Sequence, residues 1–136
     1  MENLLPRVFK PAIDASERAE HDQYKIGAAL FFKNHLVSTG CNNITKTHPL
    51  CNHDIYGRPV TVHAEANAIA KARNFLLNLS ESDRRKLIMV TYRKSKDGRP
   101  AIAYPCSGCQ NLASKFGIIK FAYTTENGYA MEIKCE

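Results

Sequence analysis

His63, Glu65, Cys106 and Cys109 are the side chains of this sequence whose types and spacing carry the most chemistry. They fall in two short segments, Thr61-Val62-His63-Ala64-Glu65 and Pro105-Cys106-Ser107-Gly108-Cys109, with residues 66–104 between them. His63 offers a neutral imidazole nitrogen, and Cys106 and Cys109 offer thiolates. Three such ligands suit Zn²⁺ and leave its fourth tetrahedral position open to water, the mark of a catalytic rather than a structural ion. Glu65 is then not needed as a ligand. Two residues beyond His63, it can reach the site as a carrier of protons. Either half alone says little: a lone His-x-Glu usually marks a solvated helix end, and a lone Cys-x-x-Cys can be a redox pair or half of a closed zinc site. Their order, the proline before the first cysteine and the helical patterns that follow each half favour the catalytic reading.

Two helix starts are needed to bring these groups together. Cys106 and Cys109 at i and i+3 share one helix face, and Pro105 suits a position at or just before the first helical residue. The helix is predicted to run from Cys106 to about Phe116 and to stop at Gly117. His63 opens the other helix, whose continuation from Ala64 to Leu79 carries Ile69, Ala72, Leu76 and Leu79 as an apolar stripe for packing on a sheet. A first helix is expected between Leu5 and about Glu20, with Pro11 setting its true start. Ile26–Phe32 and Leu36–Thr39 read as a hairpin turning at Lys33-Asn34-His35, and residues 40–62 as a long loop. Leu87–Tyr92 and Ile118–Thr125 are further strands. Glu126-Asn127-Gly128 is a turn signal, so Tyr129–Lys134 should pair antiparallel with the strand before it. The order gives an α/β fold around a five-stranded mixed sheet.

The paired signature His-x-Glu and Pro-Cys-x-x-Cys is that of zinc-dependent nucleobase deaminases, and with this element order the chain resembles the cytidine deaminase superfamily over nearly its full length. His63-Ala64-Glu65-Ala66-Asn67-Ala68-Ile69 is most similar to the CMP/dCMP-type branch. The resemblance implies a three-layer αβα sandwich whose last two strands form an antiparallel hairpin. It implies one catalytic zinc on His63, Cys106 and Cys109, proton transfer by Glu65, a backbone N–H of Ala64 on the base carbonyl, and a sugar contact from Asn42, in a Gly40-Cys41-Asn42 segment that read without the resemblance could equally be a plain turn. The terminal hairpin is closer to free-nucleoside and some toxin-type deaminases than to deoxycytidylate enzymes. The interval between the motif halves is long for the superfamily, so an insertion is expected between them. Its residues 93–104 include Arg93, Lys94, Lys96 and Arg99, which could hold a phosphate or a polynucleotide backbone, or simply form a solvated basic hairpin. Cys41, His48, Cys51 and His53 crowd the preceding loop; their irregular spacing favours loop residues without metal over a second, structural zinc.

The 136 residues, 44% hydrophobic and 24% charged, fit a single deaminase domain spanning 1–136. No charged leader with an apolar run opens the chain and no stretch approaches a membrane span, so a soluble, cytoplasmic protein with no membrane partner is expected. Five cysteines, two assigned to metal, fit a reducing compartment, with Cys135 a free thiol. The net charge of +6 suits a phosphate-bearing substrate, but equally a surface rich in lysine. The reading that follows is hydrolytic conversion of cytosine to uracil on a free nucleotide or nucleoside. The alternative is deamination of cytosine or adenine in single-stranded DNA or RNA by a toxin or phage editing factor. A homo-oligomer is compatible with both, and a zinc module without catalysis would have no use for Glu65.

Overall fold

Alternating apolar residues in the central strands require cover on both faces of a sheet, and the fold supplies it. The computed structural model describes residues 6–19, 25–42, 64–94, 100–103, 107–126 and 128–133. A 3₁₀ turn at Arg7–Phe9 leads into α1 (Lys10–Ser16), then β1 (Lys25–Phe32), β2 (His35–Cys41), α2 (Ala64–Lys71), α3 (Arg73–Leu77), α4 (Glu81–Arg84), β3 (Leu87–Lys94), β4 (Pro100–Ala101), α5 (Ser107–Lys115), β5 (Lys120–Thr125) and β6 (Gly128–Ile133). The main path of the sheet is β2-β1-β3-β5-β6, the five strands expected, and the two-residue β4 pairs with β3 beside it. β3 and β5 are parallel; the other pairs are antiparallel, including the closing β5–β6 hairpin, whose register runs from Lys120–Ile133 to Thr125–Gly128.

Side-chain alternation splits the interior into two cores. Ala28, Leu30, Leu87, Met89, Phe121 and Tyr123 face one way, against Ala64, Ala68, Ile69 and Leu76 of α2 and α3 and Leu112 and Ala113 of α5. Ala29, Phe31, Val90, Tyr92 and Ala122 face the other way, against Phe9 and Ala12. Side chains such as Phe9, Leu30 and Ile69 are fully buried, and each contributes about 1.5–3 kcal/mol. The result is the three-layer sandwich, with α1 on one face and α2, α3 and α5 on the other.

Four features depart from the sequence reading for local reasons. The first helix is short: Pro11 sits in its first turn, and the Ser16 hydroxyl donates back to the Ile13 carbonyl at 2.6 Å as the helix gives way to tighter turns at Arg18 and Ala19. The predicted helix from Ala64 to Leu79 breaks at Ala72, whose N–H is shared between the Ala68 and Ile69 carbonyls. Ile69, Ala72 and Leu76 nevertheless stay buried as one stripe. A further short helix, α4, follows, capped by the Ser80 hydroxyl accepting from the Asp83 N–H. The β1–β2 turn is tighter than expected, with Lys33 and Asn34 both at positive φ, the backbone that a two-residue hairpin requires. A register shift opposite Leu30 and Phe31 leaves Val37 unmatched and thereby turns Ser38 and Gly40 toward α2. No helix among the described residues is long and apolar enough to cross a membrane.

Candidate active site

The site is built where β2 passes under the first turn of α2 and where α2 packs against α5. Gly40 makes this approach possible: a Cβ there would lie 2.5 Å from the Ala64 carbonyl oxygen and 2.6 Å from the Ala68 nitrogen. Only a glycine lets strand and helix backbones touch in this way. Two polar contacts fasten the same junction. The Ser38 hydroxyl donates to the Ala68 carbonyl at 2.7 Å, and Asn67 Nδ2 donates to the Cys41 carbonyl at 3.4 Å. Asn67 and Ser38 were not marked as site-forming from sequence, because a polar residue gains such a role only once strand and helix are known to cross.

Ala64 and Glu65 occupy the first turn of α2, and both are buried, Glu65 to 8% exposure. A carboxyl side chain largely withdrawn from water at a helix start is a candidate functional position. Cys109 lies in the first turn of α5, 1% exposed, with its sulfur in a thiol and not a disulfide. His63 and Cys106 each immediately precede the described start of one of these helices, and both lie outside the described residues, as do His48, Cys51, His53, Lys96, Arg99 and Cys135. α5 ends as predicted at Gly117, at φ 76°, with Ile118 N–H on the Ala113 carbonyl and Gly117 N–H on that of Ser114.

Asn42 directly follows β2 and is held in a fixed orientation. Its N–H donates to the Ile26 carbonyl at 3.2 Å, while its Oδ1 accepts from the Ile26 N–H at 2.9 Å. Ile26 pairs in turn with Arg93 on β3, and Arg93 N–H donates to Thr124 Oγ1 on β5 at 3.2 Å. One row of residues, Asn42, Ile26, Arg93 and Thr124, therefore crosses the sheet at the end where both motif helices begin. Of the four basic residues expected to act together, Arg93 and Lys94 lie among the described residues, and these two diverge. Arg93 and Lys94 alternate on β3, and Lys94 Nζ pairs at 3.6 Å with Glu17 at the end of α1, on the face away from α2.

Two thiols and an imidazole form a donor set of the kind zinc prefers. The buried thiol of Cys109 at a helix start fits that use, since the helix dipole favours its thiolate. The sequence profile of the cytidine and deoxycytidylate deaminase zinc-binding region matches residues 3–125. The chain belongs to this family. The fold of this deaminase-family chain is that of solved cytidine deaminases. The enzyme from Burkholderia pseudomallei is 18% identical, with a TM-score of 0.57 over 92% of this chain and 88% of that one. The cytidine deaminase of Mycobacterium leprae is 19% identical, at 0.53 over 90% and 87%. The dCMP deaminase of cyanophage S-TIM5, solved with dCMP and dUMP, is 22% identical, at 0.54 over 87% and 78%. No curated protein sequence matches the chain at a significant level.

Proposed function

We propose that this deaminase-family chain converts the cytosine base of a free nucleotide or nucleoside to uracil, with one zinc held by His63, Cys106 and Cys109. The observation that carries the reading is the burial of Glu65 and Cys109 in the first turns of two packed helices, in a chain matched by the deaminase family from residue 3 to residue 125. When bound, zinc supplies a Lewis acid that makes a water nucleophilic near neutral pH. Glu65 would take a proton from that water and deliver it to N3 of the base as the C4–O bond forms, then take the remaining proton from the new C4 hydroxyl and pass it to the amine, so that the C4–N bond breaks, ammonia leaves and the C4 carbonyl forms. Its burial keeps bulk water from competing for the proton. The Ala64 N–H holds the base carbonyl, and Asn42, oriented by its two bonds to Ile26, contacts the sugar.

Of the two described basic residues of this segment, Arg93 is the better placed to meet a phosphate, because it shares the row of Asn42 while Lys94 is turned to Glu17. Lys96 and Arg99 complete the same basic segment in sequence. The test is to incubate zinc-loaded protein with cytidine, deoxycytidine, CMP, dCMP, the adenine and guanine counterparts and a cytosine-containing oligonucleotide, and to read ammonia and the deaminated base. Turnover of a monomeric cytosine compound is expected. Turnover of the oligonucleotide alone, or of purines alone, would replace this reading with base editing or purine deamination.

A further inference from the structure

Thr124 is fully buried near the end of β5 and holds both legs of the segment that leads into the cysteine helix. The β3–β5 ladder closes at the Thr91–Tyr123 pair. One residue on, the hydroxyl of Thr124 takes the place of a ladder carbonyl and accepts the Arg93 N–H at 3.2 Å. Its own carbonyl accepts the Ala103 N–H at 2.9 Å. Between these two points in sequence β3 and β4 pair, with Arg93 opposite Ala101 and Lys94 opposite Pro100. Outgoing and returning backbone are therefore tied to one residue of a neighbouring strand. Only residues 104 and 105 separate Ala103 from Cys106, and α5 begins at Ser107.

We propose that Thr124 is a positioning residue that sets where α5 starts, and so where Cys106 and Cys109 are presented. The proposal rests on the reading of α5 as the carrier of the zinc thiolates. Without these bonds the described part of the segment between β3 and α5 would be joined to the sheet through its short β3–β4 pairing, and the helix start would be less firmly fixed at the sheet end. Zinc requires its ligands within a few tenths of an ångström, and residues that orient ligands from behind typically change metal affinity 10- to 100-fold when lost. Valine matches threonine in volume but lacks the acceptor, which would leave the Arg93 N–H without this bond. Serine keeps it.

The experiment compares zinc-loaded wild type, Thr124→Val and Thr124→Ser. It reads zinc release to a chelator, deuterium uptake in peptides covering 100–110 and 25–42, and kcat and KM on the best monomeric substrate. Thr124→Val is expected to release zinc about tenfold faster, to exchange faster over 100–110 but not over 25–42, and to lose kcat more than it changes KM. Thr124→Ser should stay close to wild type. Wild-type zinc release and local exchange in Thr124→Val, or equal impairment of Thr124→Ser, would overturn the proposal. Should Thr124→Val fail to fold, a variant with residues 95–99 replaced by Asn-Gly decides. It keeps both Thr124 bonds and should hold zinc as the wild type does, and fast release from it would also overturn the proposal. If the wild type binds no zinc, the metal reading fails on its own, while the exchange comparison still judges the clamp.

Discussion

Glu65 and Cys109 are both buried in first turns, yet substitution should separate them. Glu65→Gln preserves size and removes the carboxylate, so zinc content and melting temperature should match wild type. Turnover should fall by about 10²–10⁴-fold, the range for loss of a general acid/base; zinc loss from Glu65→Gln would make Glu65 a ligand instead. Cys109→Ala should fail in the opposite order, losing zinc first and activity as a consequence, which elemental analysis of the purified protein reads directly. These residues stood out in the sequence as candidates because metal and proton chemistry admit few residue types at few spacings. Thr124, Ser38 and Asn67 were not legible: a hydroxyl or amide acquires a partner only through the crossing of elements far apart in sequence. Asn42 sits between these cases. Its place after β2 was readable, whereas its two hydrogen bonds with Ile26 depend on the β1–β2 register.

The contact of β2 with α2 gives the sharpest prediction for an element. Gly40→Ala puts a methyl group 2.5 Å from a backbone oxygen and 2.6 Å from a backbone nitrogen. Neither can swing aside as a flexible side chain would, so the helix must shift. A loss of about 1–3 kcal/mol is expected from such overpacking, read as a lower denaturation midpoint, together with weaker zinc retention because the displaced turn directly follows His63 in sequence. Unchanged zinc retention and stability would mean that the junction yields more easily than its backbone contact implies. Strand positions were well anticipated from alternation, since each central strand buries both faces in period two. The helix after Ala64 was anticipated as continuous because its apolar stripe is continuous. The break at Ala72 leaves that stripe intact, so side-chain periodicity carried no sign of it.

At the scale of the molecule, the +6 charge is tested by replacing Arg93, Lys94, Lys96 and Arg99 with alanine. For a free nucleotide the variant should raise KM for the monophosphate over its nucleoside and leave the nucleoside little changed. If instead the wild type deaminates a single-stranded oligonucleotide efficiently, and the variant loses that activity along with much of its salt dependence, a polynucleotide backbone is the true partner. Lys94→Ala alone should do little to KM, because its ammonium is paired with Glu17 at the surface, where such pairs are weak. The strand order also bears on how the chain reaches its native state. β1 and β2 meet through a two-residue turn, a contact between near neighbours in the chain. β3, the central strand, must find β1 across a long interval, with Phe32 meeting Leu87 and Lys25 meeting Lys94, before β5 can align beside it. Non-local pairing of this kind is slow, and the cysteine helix lies between β3 and β5. Zinc capture is therefore expected late in folding: in stopped-flow refolding, added zinc should slow unfolding and leave the main refolding rate nearly unchanged, and a zinc-accelerated refolding rate would place α5 in the nucleus instead.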